Sequence, residues 1–149
     1  MGNVFRLIRA IDSRRFLWVG DGSNSKSLVY VGDFARAVAL ALESEVTRSV
    51  FNVVGDALRM ADIVSIIADQ LKISIPRIRV PSHIASLGLM ALRRASVVPK
   101  FGRLHNTLYT WLGDGVFSGM AFGSRYGFVP GTSIEEGLRR QVDDYLQNK

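Results

Sequence analysis

Residues 27–42, SLVYVGDFARAVALAL, place a strand pattern directly before a helical one. The first five residues are rich in β-branched and aromatic side chains, which favour a strand. Apolar residues then recur at the spacing of a helix with one buried face, and Asp33 stands where a side chain caps a helix N-terminus. This stretch therefore predicts a strand followed by a helix.

The same order of elements recurs on both sides of this stretch. Residues 16–19, FLWV, predict a strand, and the turn formers of GDGSNSK (20–26) would make residues 16–31 a hairpin with a long loop. Downstream, the apolar run VFNVV (50–54) predicts a strand buried on both faces, as in a parallel sheet. A helical stripe follows over residues 63–71.

The remaining patterns complete an α/β chain. Ser133 and Glu136 form a capping box, which predicts the start of the last helix. The other predicted elements are, in chain order, a helix over 4–11, a strand over 77–80 with one basic face, and helices over 82–94 and 104–112. The length of 149 residues fits a single domain over residues 1–149.

Composition excludes several kinds of site. The chain contains no Cys, so it has no disulfide framework, no Cys-ligated zinc and no thiol nucleophile. Its two His, His83 and His105, are too few for a His-based metal site, and we expect no metal. No apolar run reaches the roughly 18 residues of a membrane-spanning helix, and the first residues lack a signal-peptide pattern, so we expect a cytoplasmic protein.

The formal net charge of +6 is concentrated in one segment. Residues 72–125 contain eight Lys or Arg and one acid, Asp114, so this segment carries +7 and the remainder −1. Arg outnumbers Lys fifteen to four, and guanidinium groups bind phosphate well. The charge alone allows nucleic acid, an anionic membrane surface or a small phosphate-bearing ligand. Residues 72–100 contain no aromatic side chain, which disfavours nucleic acid.

Two patterns match parts of known motifs but lack their context. Gly20-x-Gly22 has neither the third Gly of a dinucleotide loop nor the spacing of a triphosphate loop, so we interpret it as an ordinary loop. Tyr145-x-x-x-Lys149 has the spacing by which short-chain dehydrogenases lower the pKa of a phenol. Lys149 lies at a frayed helix end, however, and there is no GxSxG elbow. The residues therefore predict no catalytic group.

Three long segments resemble the NAD-dependent epimerase/dehydratase family, the extended short-chain dehydrogenase/reductases that include UDP-glucose 4-epimerase-like proteins. Residues 3–43 contain its order of helix, "GdG" strand, basic residue, "vyV.D" strand and helix. Residues 51–71, FNVVGDALRMADIVSIIADQL, are similar to its next unit. Residues 117–146, FSGMAFGSRYGFVPGTSIEEGLRRQVDDYL, are similar to its closing segment.

The resemblance implies a partial Rossmann-type fold with few strands and about six helices, corresponding to the C-terminal, substrate-binding part of such an enzyme. The Gly-rich NAD loop and the catalytic Tyr-x-x-x-Lys belong to the family's N-terminal part, so the resemblance implies that this chain alone binds no NAD and is inactive. The implied ligand is a nucleotide-diphosphate sugar, and exposed apolar surface implies a homodimer or a domain-swapped oligomer. A non-catalytic sugar-nucleotide module and a basic membrane or nucleic-acid adaptor are the alternatives.

The resemblance also implies binding roles for particular residues. Asn3 and Lys26 align with positions near the diphosphate, and Arg103, or else Arg93 or Arg94, would supply a second cation. The positions implied to line the nucleotide base are Leu17, Trp18 and Val19. Two departures from the family pattern affect the fine geometry of the site: Gly32 replaces a polar residue, and Gly119 replaces an Asp.

Overall fold

A computed structural model describes residues 2–44, 49–76, 79–81, 84 and 113–149. The helices within these residues are α1 (Asn3–Asp12), α2 (Val31–Leu42), α3 (Met60–Leu71), α4 (Met120–Tyr126) and α5 (Ile134–Gln147). The strands are short: β1 (Trp18–Val19), β2 (Ser25–Ser27), β3 (Ala57–Arg59) and β4 (Arg79–Val80). The predicted α/β class with few strands is confirmed. The helix predicted over 104–112 and nearly all of that over 82–94 lie outside the described residues.

The main core lies between α1, α3 and α5. The stripes predicted for α1 and α3 are confirmed, because Ile8 and Ile11 of α1, and Ile63 and Ile67 of α3, are each at most 1% exposed. Six of the core side chains are almost fully buried: Ile8, Ile11, Ile63, Val64, Ile67 and Val142. In this part of the chain, no helix is long and apolar enough to cross a membrane.

A second, smaller cluster joins α2 to α4. Ala37 of α2 packs with Phe122 of α4 and with Phe128 in the following loop. Phe51 contributes edge-to-face contacts, with ring centroids 5.8 Å from Phe122 and 5.6 Å from Tyr126. Residues 49–56, which contain Phe51, are therefore held against helices.

The hairpin predicted over residues 16–31 is wrong, because β1 and β2 belong to different sheets. Its predicted second strand, residues 27–31, does not form either, since β2 ends at Ser27 and α2 begins at Val31. Strand β1 pairs in parallel with β4, with Trp18 opposite Arg79, whereas β2 pairs antiparallel with β3, with Lys26 opposite Leu58. The intervening turn has positive φ angles at Gly20 and Gly22, which direct the chain towards α3 instead of back along β1. The basic strand predicted over 77–80 is confirmed at its last two residues.

The buried strand predicted over residues 50–54 is also wrong. The segment forms no strand, and Val50 is 98% exposed. Phe51 and Val53 pack instead against the α2–α4 cluster, and no strand of the described residues pairs with the segment. Its apolar side chains thus contact helices on one side. A continuous apolar run in the sequence does not distinguish this packing from a strand that is buried on both faces.

Asp33 does not cap α2. The helix begins at Val31 with Tyr30 as its N-cap, three residues before the predicted cap, and the buried Asp33 carboxylate instead reaches the loop before α5. It accepts hydrogen bonds from the backbone N–H groups of Gly131 and Thr132, both at 2.9 Å, and from Arg36 at 3.0 Å. The hydrogen bond from the Gly131 N–H makes the largest contribution to lowering the pKa of Asp33, and burial acts in the opposite direction.

The start of α5 is as the sequence predicts. The hydroxyl of Ser133 accepts a hydrogen bond from the backbone N–H of Glu136 at 3.1 Å, which is an N-cap. The Glu136 carboxylate accepts from Arg140, one helical turn further along. The Ser133 half of the predicted capping box is therefore confirmed. The Glu136 side chain forms an ion pair with Arg140 along the helix surface instead.

We predict that Asp33→Ala lowers the free energy of unfolding by about 1–3 kcal/mol, because two backbone N–H groups lose a buried acceptor. Since folding lowers the pKa of Asp33, its contribution is present above the ordinary carboxyl pKa of about 3.9 and is lost as the pH falls through the lower folded value. Urea denaturation at pH 7 and at pH 3 measures both effects.

Glu135→Ala is the matched control, because it removes an exposed carboxylate that pairs with Arg139 and should cost only about 0.3–0.5 kcal/mol. Equal losses in the two variants at pH 7 would contradict the assignment of Asp33 as a link between α2 and the 129–132 loop.

Candidate functional site

Lys26 lies at the centre of β2 and is partly buried. Its ammonium group donates a hydrogen bond to the carbonyl oxygen of Gly113. Its aliphatic carbons cover Gly115, where a Cβ would come within 3.2 Å of Lys26 Cδ. Burial lowers the pKa of Lys26, and the nearby charge of Asp114 acts in the opposite direction. A partly desolvated cation is thus held in a defined position.

The segment 113–117 runs alongside β2 and completes this arrangement. The N–H of Gly115 donates to the carbonyl of Ser25 at 2.9 Å, and the N–H of Ser27 donates to the carbonyl of Gly115 at 2.8 Å. The Asp114 carboxylate accepts from the N–H of Ser25 at 2.8 Å. These bonds join residues almost 90 positions apart in the sequence and hold both sides of Lys26.

The same ladder extends to Phe117. Its backbone N–H donates to the side-chain hydroxyl of Ser27 at 3.1 Å. Phe117 is two residues after Gly115, the glycine that the Lys26 side chain covers. From the sequence, Gly113 and Gly115 are only the end of a helix. Their role beside β2 depends on a long-range pairing that local patterns do not reveal.

The GDG turn connects this site to the core. The carbonyl of Gly22 accepts from the N–H of Ala61 at 3.0 Å, and the carbonyl of Asn24 accepts from the N–H of Met60 at 2.8 Å. Both donors lie in the first turn of α3, where backbone N–H groups have no partner within the helix. The turn and β2 are therefore positioned directly by α3.

The three residues predicted to line a base have different environments. Trp18 is only 8% exposed, and its ring centroid lies 5.1 Å from that of Phe16 and 5.3 Å from the Arg79 guanidinium carbon. Leu17 is exposed, and Val19 is half-buried. Trp18 borders a groove of about 580 Å³ beside α3 that also contains Arg79.

The other predicted binding residues are dispersed. Asn3 is the exposed first residue of α1 and borders a different cavity of about 540 Å³, together with Tyr30 and Arg140. Arg93, Arg94 and Arg103 lie outside the described residues. The structure thus defines the surroundings of Lys26, and it places Asn3 and Trp18 at separate cavities.

A third cavity lies next to Phe117 and has a volume of about 560 Å³. Sequence patterns do not point to it, because its walls come from three separated segments. Its lining comes from parts of the segments 53–56, 117–123 and 128–134 and is mixed. The apolar members include Val54, Phe117, Met120 and Val129, and the polar members are Asp56, Thr132 and Ser133.

Comparison with known proteins assigns the fold. Two solved structures of high similarity are a nucleoside-diphosphate-sugar epimerase from Pseudomonas aeruginosa (TM-score 0.74, 22% identity) and a UDP-glucuronic acid 4-epimerase from Bacillus cereus in complex with UDP-glucuronic acid and NAD (TM-score 0.68, 19% identity). The matches cover 96% and 99% of this chain. This is the fold of part of an NAD-dependent epimerase/dehydratase. The resemblance inferred from the sequence is confirmed at the level of the fold.

The chain spans 42% and 40% of those two epimerases. A curated relative, the N-acetyl-alpha-D-glucosaminyl-diphospho-ditrans,octacis-undecaprenol 4-epimerase of Escherichia coli O157:H7, is 32% identical over 89 residues, which are 58% of this chain and 27% of the relative. No protein-family model matches the chain.

Within this epimerase/dehydratase fold, Tyr145 and Lys149 both bind the carboxylate of Asp12, which is a structural contact. The Tyr145 hydroxyl and the Lys149 ammonium group both lie 2.7 Å from the same carboxylate oxygen of Asp12, joining α5 to α1. The hydrogen bond to Asp12 raises the pKa of Tyr145, the opposite of what a phenol base requires. The residues that the structure describes contain no cluster of three His, Asp or Glu that would hold a metal ion.

We predict that Gly22→Ala destabilises the protein more than Gly127→Ala. Both glycines have positive φ, which costs an alanine about 1–2 kcal/mol. Only at position 22 would the new Cβ also meet neighbours, 2.9 Å from the Trp18 ring and 3.2 Å from the backbone of Ala61, whereas nothing lies within 4 Å at position 127. Tryptophan fluorescence during urea denaturation measures the difference, and equal losses would show that the turn is not packed against Trp18 and α3.

Proposed function

We propose that this chain forms the substrate-binding part of an NAD-dependent epimerase/dehydratase and holds the diphosphate of a diphosphate-linked sugar. Sugar nucleotides appear in the names of the solved neighbours, and the curated relative is named for a sugar joined by a diphosphate to undecaprenol. A sugar diphosphate ester is the chemistry that both have in common.

The surroundings of Lys26 carry the proposal. A diphosphate bears about two negative charges, and an ammonium group that has already lost part of its hydration binds an anion more strongly than a fully solvated one. Lys26 is such a group, and the ladder between β2 and residues 113–117 restricts its position before any ligand arrives. The diphosphate would take the place of the Gly113 carbonyl as its acceptor.

The NAD that such enzymes use does not fit the described residues. The Gly20–Gly22 turn is followed by strand β2, not by a helix whose N-terminus would face a pyrophosphate. We therefore derive no redox step from this chain. In the proposed enzyme, NAD binding and hydride transfer belong to a part other than the described residues, and this chain orients the sugar.

The exposed side of α2 supports association with further protein. Val31, Phe34, Val38 and Leu42 lie on one face of the helix and are between 41% and 80% exposed. An apolar stripe of this kind is typical of an interface. We propose that it is covered in the complete assembly, by another part of the enzyme or by a second copy in a homodimer or domain-swapped oligomer.

We predict that Lys26→Gln weakens the binding of UDP-glucose by roughly tenfold or more, because a charge-assisted hydrogen bond to the diphosphate is lost. Isothermal titration calorimetry gives the dissociation constants. Lys26→Arg, which keeps the charge, should retain a substantial part of the affinity.

Lys149→Gln is the matched control, since it removes the same charge at the contact with Asp12 and should leave the affinity unchanged. Circular dichroism of all variants verifies folding. Equal weakening by both Gln variants would indicate only a general effect of net charge. Strongly salt-dependent binding of DNA or anionic vesicles, with no heat from UDP-glucose, would support an adaptor instead.

A further inference from the structure

We propose that Asn24 is a second ligand of the diphosphate, and that its side-chain amide and the Lys26 ammonium group bind the same phosphoryl oxygen. This inference rests on the proposed function, because it assumes that Lys26 holds the diphosphate. It assigns a binding role to a residue that the sequence identifies only as a turn former.

The first argument is that two side-chain donors already meet at one oxygen atom. The Nδ2 of Asn24 donates a hydrogen bond to the carbonyl oxygen of Gly113 at 3.2 Å, and the Lys26 ammonium group donates to the same oxygen. Asn24 directly precedes β2, and side chains two positions apart in an extended chain point to the same side. The two donors therefore define one position for an acceptor oxygen.

The second argument is the chemistry of an oxygen atom at that position. The Gly113 carbonyl has two lone pairs and accepts both hydrogen bonds, but it carries no net charge. The phosphoryl oxygens of a diphosphate are charged, and hydrogen bonds to charged acceptors are roughly twice as strong as bonds between neutral groups. A phosphoryl oxygen that replaces the carbonyl thus uses the same two donors and strengthens both bonds.

The third argument is the charge balance around Lys26. The carboxylate of Asp114 lies close enough to affect the pKa of Lys26, and it accepts a hydrogen bond from the N–H of Ser25 at 2.8 Å. This negative charge offsets part of the attraction that Lys26 exerts on an anion. The Asn24 amide adds a hydrogen bond to the ligand without a charge of its own. Diphosphate binding at this position therefore depends on Asn24 as well as on Lys26.

The fourth argument is that Asn24 is held in place before a ligand arrives. Its backbone carbonyl accepts a hydrogen bond from the N–H of Met60 at 2.8 Å, and Met60 is a core residue that is only 7% exposed. Because a carbonyl oxygen can only accept, the bond to Gly113 requires the NH2 end of the Asn24 amide. The donor is thus oriented in advance, and little entropy is lost when the ligand binds.

Nuclear magnetic resonance of the isotope-labelled wild-type protein tests the contact without a mutation. Inorganic pyrophosphate should shift the side-chain NH2 signals of Asn24, because their acceptor changes from a carbonyl to a charged oxygen. Asn148 is the internal control, since its Nδ2 also donates to a backbone carbonyl, that of Asp144 at 2.8 Å. Saturable binding of pyrophosphate that leaves the Asn24 signals unchanged, or that shifts the Asn148 signals equally, would overturn the inference.

Calorimetry with UDP-glucose measures the contribution of the amide. Asn24→Ala should weaken binding roughly tenfold, because a hydrogen bond to a charged acceptor is lost. Asn24→Leu and Asn24→Asp both remove the donor to Gly113 and keep a similar shape, so a purely structural role predicts equal losses. A ligand contact predicts a loss roughly tenfold larger for Asn24→Asp, because its carboxylate repels the diphosphate. Asn148→Ala is the matched control and should leave the affinity unchanged.

The possible failures separate the two proposals. Weakened binding of UDP-glucose by Lys26→Gln, with no change of affinity in any Asn24 variant, would overturn the role of Asn24 and leave the proposed function intact. Equal losses in Asn24→Leu and Asn24→Asp would show that Asn24 only holds Gly113 in place, which also overturns the inference. Absence of binding of both UDP-glucose and pyrophosphate to the wild-type chain would overturn both proposals. Circular dichroism verifies folding, and if the variants do not fold, the resonance experiment on the wild-type protein decides alone.

Discussion

The burial of α3 between α1 and α5 is the interaction on which the rest of the described structure depends. Ile63 and Ile67 face the other two helices and are at most 1% exposed. Fully burying side chains of this kind contributes about 1.5–3 kcal/mol each. The first turn of α3 then provides the N–H groups that hold the GDG turn and the start of β2. Core packing and the position of Lys26 are therefore parts of one arrangement.

This dependence explains why a chain with so little sheet can present an ordered cation. Strands β2 and β3 are three residues each, too short to be stable alone. They are anchored by α3 at one end and by residues 113–117 along the outer side of β2. The Lys26 ammonium and the Gly113 carbonyl consequently keep fixed relative positions, and a ligand needs little reorganisation to bind.

Much of the helical framework could be predicted from the sequence. The apolar periodicity of α1 and α3, and the Ser133 cap of α5, are local signals that tertiary contacts reinforce. The hairpin, the strand over 50–54 and the cap at Asp33 were wrong for a common reason. Each depends on a partner far away in the sequence: β4 for β1, the α2–α4 cluster for Phe51, and the N–H groups of Gly131 and Thr132 for Asp33.

The candidate site, too, could be predicted from the sequence only in part. Lys26 could be singled out because a basic residue follows the GdG strand in the family that the sequence resembles. The residues that surround it could not, since the pairing of β2 with Gly115 and the position of Phe117 arise from contacts almost 90 residues apart. The buried environment of Trp18 was equally hidden, because an aromatic residue in a strand pattern has the same sequence signal whether it faces a core or a ligand.

Hydrogen–deuterium exchange of the protein, with and without UDP-glucose, tests the central claim most directly. If the diphosphate binds at Lys26, the ligand should slow exchange at the amides of residues 25–27 and 113–117, while the exposed side of α2 remains unchanged. Protection confined to the neighbourhood of Asn3 or of Trp18, or no protection at all, would contradict the account.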